Sequence, residues 1–226
     1  MATKVEIVNM ALSSLGSKQT IQDIDSDQSV ESRTASLHYE SALKTALGFN
    51  ATPWSFATTW ATSALLSDDP PGDWSYMYAM PADAVRIIEI IDTLDSRRNR
   101  PAKYTKANYE GQLVLLTDTE SPVWRYVFLN DTPATYTPEF VDALAAQLAM
   151  RMAMPLTRKR ELREAARVEY ANLINIASAA DANEQTVNEE PDYMAPWFED
   201  RGYDQSSRRF LYTDADGNIQ EFEGSL

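Results

Sequence analysis

The stretch "NATPWSFATTW", Asn50 to Trp60, decides how the rest of the chain is read. It holds two tryptophans, a phenylalanine and a proline, and no charge. Before it, apolar residues recur at helical spacing; after it, they follow strand periodicity. Pro53 drives Thr52 out of helical geometry, so the chain must turn here. Trp54 and Phe56 then share one face as the first strand starts. The expectation is a hinge, made by Pro53, Trp54 and Phe56, that packs a sheet module against a helical bundle. A ligand pocket is disfavoured, because no titratable group accompanies the stretch. Trp60 is left open between the core and a face turned to a neighbouring subunit.

Upstream lie two helices. Thr3 and Glu6 form a T-x-x-E capping box, Val5, Val8, Leu12 and Leu15 follow, and Gly16 supplies a stop. A polar loop leads to a second helix from near Ser29 to Leu47, lined by Tyr39, Leu43, Ala46 and Leu47 and ended by Gly48. Downstream, "VRIIEII" (85–91), "QLVLLT" (112–117) and "WRYVFLN" (124–130) read as strands, with a turn at "YEG" (109–111). Their connections are too short for crossover helices, so the sheet is antiparallel. Helix resumes with Thr137 as N-cap and Pro138 at the first position. Phe140, Leu144, Leu148 and Met152 mark its face, Pro155 stops it, and Thr157 caps the next helix. That last helix carries Leu162, Ala166, Tyr170, Leu173 and Ala177 and pairs back on its predecessor. A hairpin about Asp216-Gly217 is expected near the end. The fold class is therefore α+β. A four-helix bundle (1–49 and 137–182) is interrupted by an antiparallel β-sheet module (50–136) and followed by an extended acidic-aromatic tail (183–226).

The 226 residues suffice for a sizeable core, and 44% hydrophobic content argues against general disorder. No apolar run approaches the roughly 20 residues of a membrane helix, and the first residues lack a signal-peptide pattern. With no cysteine, disulfides, thiolate catalysis and Cys-ligated zinc are excluded, which fits synthesis in a reducing cytoplasm. The net charge of −14 disfavours bulk attraction to phosphates. From Asp181 onward, 12 acidic residues face only Arg201, Arg208 and Arg209. Basic residues gather in one cluster, "TRKREL" (157–162), which reads as a solvated helix face or as a docking surface for an acidic partner or a phosphate backbone. An acidic tail of a neighbouring copy is one such partner.

Catalytic and metal sites are not legible. The single histidine, His38, lies within the second helix, and no Gly-x-Ser-x-Gly elbow exists. Asp23, Asp25 and Asp27 are spaced like the start of a calcium loop. Gln28 stands where that loop needs glycine, and Thr34 where it needs the bidentate glutamate. No P-loop, dinucleotide fingerprint or zinc spacing appears, so no catalytic, cofactor-binding or metal residue is named. Many carboxylates leave a glycoside-hydrolase pair conceivable, but spacing selects none. Interface residues are named on aromatic and basic content alone: Arg158, Lys159, Arg160, Tyr193, Trp197, Phe198, Tyr203, Arg208, Arg209, Phe210 and Tyr212.

Three elements in order carry a family resemblance. They are Asn9, Leu12, Leu15 and Gly16 as N-x-x-L-x-x-L-G; Pro53, Trp54, Phe56 and Ala57 as P-W-x-F-A; and Tyr76, Tyr78, Met80, Pro81 and Asp83 as Y-x-Y-x-L-P-x-D. Met80 replaces the usual leucine. Over about residues 4–184 the chain resembles phage head-to-tail connector (adaptor) proteins of the tail tubular protein A type. The resemblance implies a structural virion protein without enzymatic turnover. Such proteins form a dodecameric homo-oligomeric ring beneath the portal protein. The ring joins the portal to the tail nozzle or tail-tube protein, and viral DNA passes through its bore without sequence-specific binding. The resemblance further implies that the helical bundle packs ring neighbours, while the sheet module and terminal extensions make contacts along the axis. An acidic bore would repel the duplex instead of trapping it. It implies location in the virion tail or neck after synthesis in the host cytoplasm; the sequence itself gives the expectation of no cofactor and no membrane. The rival readings are a tail-associated polysaccharide or cell-wall hydrolase, and another head-completion or tail-terminator protein.

Overall fold

The computed structural model describes residues 2–49, 53–92 and 102–184, and the backbone of 209–213 and 219–223. The chain divides into two units, Met1–Gln185 and Thr186–Leu226. In the first unit, α1 (Lys4–Ser14) opens with the complete Thr3/Glu6 capping box. α2 (Val30–Gly48) is capped by the Ser29 hydroxyl, which accepts from the Ser32 amide. Gly48 is the last residue of α2 and not a left-handed stop, because Phe49 continues in right-handed geometry. The loop between α1 and α2 is pinned inward. Ile21 and Ile24 are buried, and the Asn9 side chain bonds both the amide and the carbonyl of Ile21.

α3 (Pro138–Thr157) is the central helix and packs against α1, α2 and α4 (Arg160–Glu184). It is buried on most of its circumference, with Phe140, Leu144, Leu148 and Met152 fully enclosed. Pro155 does not stop it. The helix continues to Thr157, whose hydroxyl donates to the Ala153 carbonyl, and the Arg158 amide closes on Met154. A proline near the end of a helix forfeits one bond there, and the following turn supplies others. Thr157 therefore belongs to α3 and does not cap α4. In α4 the buried stripe is Ala166, Tyr170, Ile174, Ala177 and Asp181; Leu173 is half-buried beside it.

Between α2 and α3 the module resolves into two three-stranded sheets. β1 (Thr58–Ala61), β6 (Pro122–Phe128) and β3 (Ala84–Asp92) form one, in that order. β2 (Tyr76–Ala79), β5 (Gln112–Thr117) and β4 (Tyr104–Tyr109) form the other. Every pairing is antiparallel, as the short connections require. The β4–β5 turn places Glu110 and Gly111 at φ +48° and +83°, the signature of a type I′ hairpin. Ile87, Ile90, Trp124 and Tyr126 of the first sheet meet Tyr78 and Leu115 of the second, so the sheets pack face to face. β6 also turns Val127 the other way, into the helical core, where Val85 and Ile88 join it. The first sheet is thus sandwiched between the helices and the second sheet.

In the second unit, β7 (Arg209–Thr213) and β8 (Ile219–Glu223) pair antiparallel with Thr213 opposite Ile219. This is the expected hairpin; its turn lies outside the described residues.

The junction is carried by Trp54, which has no exposed surface. Residues Ser55–Ala57 form a short 3-10 turn, so β1 begins at Thr58 and not at Trp54. Replacing Trp54 by alanine empties a fully enclosed aromatic position. A loss of about 3–5 kcal/mol is expected in urea denaturation, with Trp54→Phe losing less.

Candidate functional site

The junction is built from both ends of the inserted module. On the entry side, the Trp54 indole N–H donates to the Ala46 carbonyl at 3.1 Å. That carbonyl lies in the last turn of α2, where acceptors are poorly satisfied; from the described backbone it receives only a long bond of 3.4 Å from the Phe49 amide, and the indole adds a second donor. The Trp54 ring meets Phe140 edge-on at 4.9 Å, and Phe56 meets Phe140 and Tyr136 at 4.9 and 5.4 Å. The two pairs on Phe140 are edge-to-face and the Phe56–Tyr136 pair is tilted; aromatic pairs of this kind add about 0.5–1.5 kcal/mol each beyond their burial. On the exit side, Asn130 is buried. Its amide donates to the Phe56 carbonyl at 2.9 Å, and its own carbonyl accepts from the Tyr136 hydroxyl at 2.6 Å. Entry and exit are therefore fastened to each other as well as to the helices.

A third fastening comes from α4. Asp181, 2% exposed, accepts from the Ser55 amide at 3.0 Å and from the Ser55 hydroxyl at 2.5 Å. Sequence reasoning placed Asp181 at the head of the acidic tail. A carboxylate between Ala180 and Ala182 at the head of an acidic stretch gives no sign that it will be buried; only the helical spacing from Ala177 hints at it.

Burial pushes the Tyr39 and Tyr136 phenols above the ordinary tyrosine range, and the nearby Asp131 charge adds to the effect. Burial also pushes Tyr170 up to about 12, partly offset by Arg151. Lys4 pairs with Asp131 and lies over the Tyr39 ring. These groups border a polar cleft of about 340 Å³. Among the described residues no group of three His, Asp or Glu side chains is placed to hold a metal. Asp23 and Asp27 are occupied instead in local bonds to Asp25, Ser26 and Ser29.

Arg158, Lys159 and Arg160 form the exposed two-residue turn and first helical position between α3 and α4. Arg158 adopts φ +55°, a left-handed cap that glycine normally fills and that costs a residue with a Cβ roughly 1–2 kcal/mol. Beyond them, Arg167 pairs with Glu164, and Arg151 crosses to the hydroxyls of Ser41 and Thr45 on α2. Trp60 is 48% exposed on the edge strand β1. The Arg125 guanidinium lies 5.4 Å from its ring centre and is itself paired with Glu89. Tyr193, Trp197, Phe198, Tyr203 and Arg208 lie outside the described residues; Arg209, Phe210 and Tyr212 fall in β7. The structure joins Trp54 and Phe56 in one cluster and keeps the basic turn and Trp60 apart from it.

Removing the Asp181 acceptor leaves the Ser55 amide and hydroxyl unpaired. Asp181→Ala is expected to lower stability by about 1–3 kcal/mol, and Asp181→Asn by less, read from urea midpoints. The tyrosines give a pH dependence. Their phenols hold protons in the folded state to higher pH than the ordinary tyrosine value of about 10. Their stabilisation is complete below that pH and is lost as pH rises above it. Urea midpoints should fall between about pH 10 and 12, and the fall should be shallower in Tyr136→Phe.

No family model matches the chain, and no curated protein matches it.

Proposed function

We propose that the chain is a structural adaptor of a phage virion. It would form a homo-oligomeric ring between the portal protein and the tail nozzle or tail tube, with viral DNA passing through the bore. The observation that carries this reading is where the motif residues of the resemblance fall. Leu12 and Leu15 are buried in the helical core, and Trp54 and Ala57 are buried at the junction beside half-buried Phe56. Tyr78 is buried between the sheets, while Asp83 accepts from the Tyr126 hydroxyl and, through its carbonyl, from the Leu129 amide. The motif thus marks the residues that make this particular insertion of sheets into helices. A fold signature supports a family function by analogy.

Two exposed features supply surfaces for such a role: the strained basic turn Arg158–Arg160 and the Trp60–Arg125 patch on the β1 edge. Both are rigidly mounted, one on the α3–α4 pair and the other on the first sheet.

Native mass measurement and negative-stain imaging of the purified protein, alone and mixed with portal complexes, test the proposal. Rings, or monomers that become rings only on the portal, are the expected result. Persistent monomers that ignore the portal would sink it, and a closed ring that binds tail tube alone would favour a tail-terminator. A chain truncated after residue 184 should keep the stability of the first unit and lose portal docking.

A further inference from the structure

The aspartate-rich loop after α1, spaced like the start of a calcium loop, forms one wall of a groove along α2. Two adjoining clefts, of about 340 and 330 Å³, share Ile24, Asp25 and Ser36. The first runs on to Glu40 and the Lys4–Asp131 pair, the second to Asp27, Arg33 and Leu37. Four carboxylates, Asp25, Asp27, Glu40 and Asp131, thus stand along the walls with two cations, Lys4 and Arg33. The loop is held by the fold itself. Ile24 is buried, its carbonyl accepts from the Ser32 hydroxyl at 2.8 Å, and the Arg33 guanidinium donates to the Gln28 side chain at 2.8 Å. Tyr39, 6% exposed, lines the first cleft, and its buried hydroxyl makes no hydrogen bond of ordinary geometry with a described residue. Val30 and Leu37 stand two turns apart on one face of α2, 66% and 75% exposed. Leu37 is part of the second cleft, so apolar surface and negative charge share one groove.

We infer that this groove is the docking site of a basic amphipathic helix carried by another protein. Its carboxylates attract cationic side chains and repel the phosphates of a nucleic acid. Its apolar surface asks for more than charge. Ile24 lies at the floor, and Val30 and Leu37 follow the seven-residue spacing at which a second helix lays its own apolar row against the first. A polyamine would match the carboxylates and leave Leu37 in water, whereas an amphipathic helix covers both. Lysine and arginine stems add apolar cover while their charged heads reach Asp25, Asp27 and Glu40. Because the loop is already fixed, docking loses little ordering entropy on this side.

Such an occupant is independent of the adaptor reading, and the isolated full chain suffices for the test, so failure here leaves that reading standing. The measurement is fluorescence anisotropy with a labelled peptide of about 14 residues, leucine on one helical face and lysine on the other. Asp25→Asn/Asp27→Asn/Glu40→Gln should weaken binding about tenfold at low salt and less at high salt. Leu37→Ser, a change at an exposed position, should weaken it about tenfold at either salt. Glu161→Gln/Glu164→Gln/Glu169→Gln, an equal loss of charge at exposed positions of α4, should leave it unchanged. Equal weakening by the two triple variants would mean bulk attraction to an acidic chain and would overturn the inference. So would no binding by the wild type, undiminished affinity in Leu37→Ser, or equal binding of a lysine peptide without leucine.

Discussion

The Trp54 indole fills the angle between the end of α2 and the start of α3 and gives the Ala46 carbonyl a second donor beside the long bond from the Phe49 amide. The rest of the first unit depends on that one side chain. α2 ends where the indole caps it, the chain turns where Pro53 and the 3-10 segment require, and the first sheet begins one residue after that segment. Phe140, at the third position of α3, receives the same ring. The helical core and the sheet module therefore share an aromatic cluster and do not merely touch.

Around this apolar centre the polar groups are arranged as fasteners. Asn130 closes the two ends of the module on each other, and Asp181 ties the far end of α4 to the entry. Each is buried, and each has its hydrogen-bonding capacity at least partly used, which is the condition under which buried polar groups stabilise. The charge that remains outside is unevenly distributed. The acidic excess gathers late in the sequence, while the densest runs of positive charge are residues 158–160 and residues 97–106. An acidic protein with two local basic surfaces can present opposite electrostatic faces to different neighbours.

The order of helices and strands was legible because the period of the apolar residues changes at Pro53 and changes back at Thr137. The Thr3 and Thr137 caps and the antiparallel pairing followed from local chemistry, and the second helix starts beside Ser29 as expected, with the Ser29 hydroxyl as its cap. The division of the module into two sheets was not legible. Trp124, Tyr126 and Val127 are all buried, but on opposite sides of β6, and alternation alone does not say that both sides are covered. Pro155 misled because a proline at the third-last position of a helix removes a bond without ending the helix. Asp181 was hidden because its partner, Ser55, is 126 positions away and only the folded chain brings them together.

The register of the first sheet pairs Thr58 directly with Val127. Directly opposed residues of an antiparallel pair stand only about 5 Å apart. Everything from residue 59 to residue 126 therefore leaves and re-enters the helical frame through one narrow doorway. A lineage can lengthen, shorten or exchange the parts of that excursion that stand clear of the helices, above all the second sheet, while the doorposts and the Val85 and Ile88 side chains that pack into the helical core stay fixed. The height and decoration of the sheet stack are free to follow whatever it must reach, while the helices keep a constant footprint.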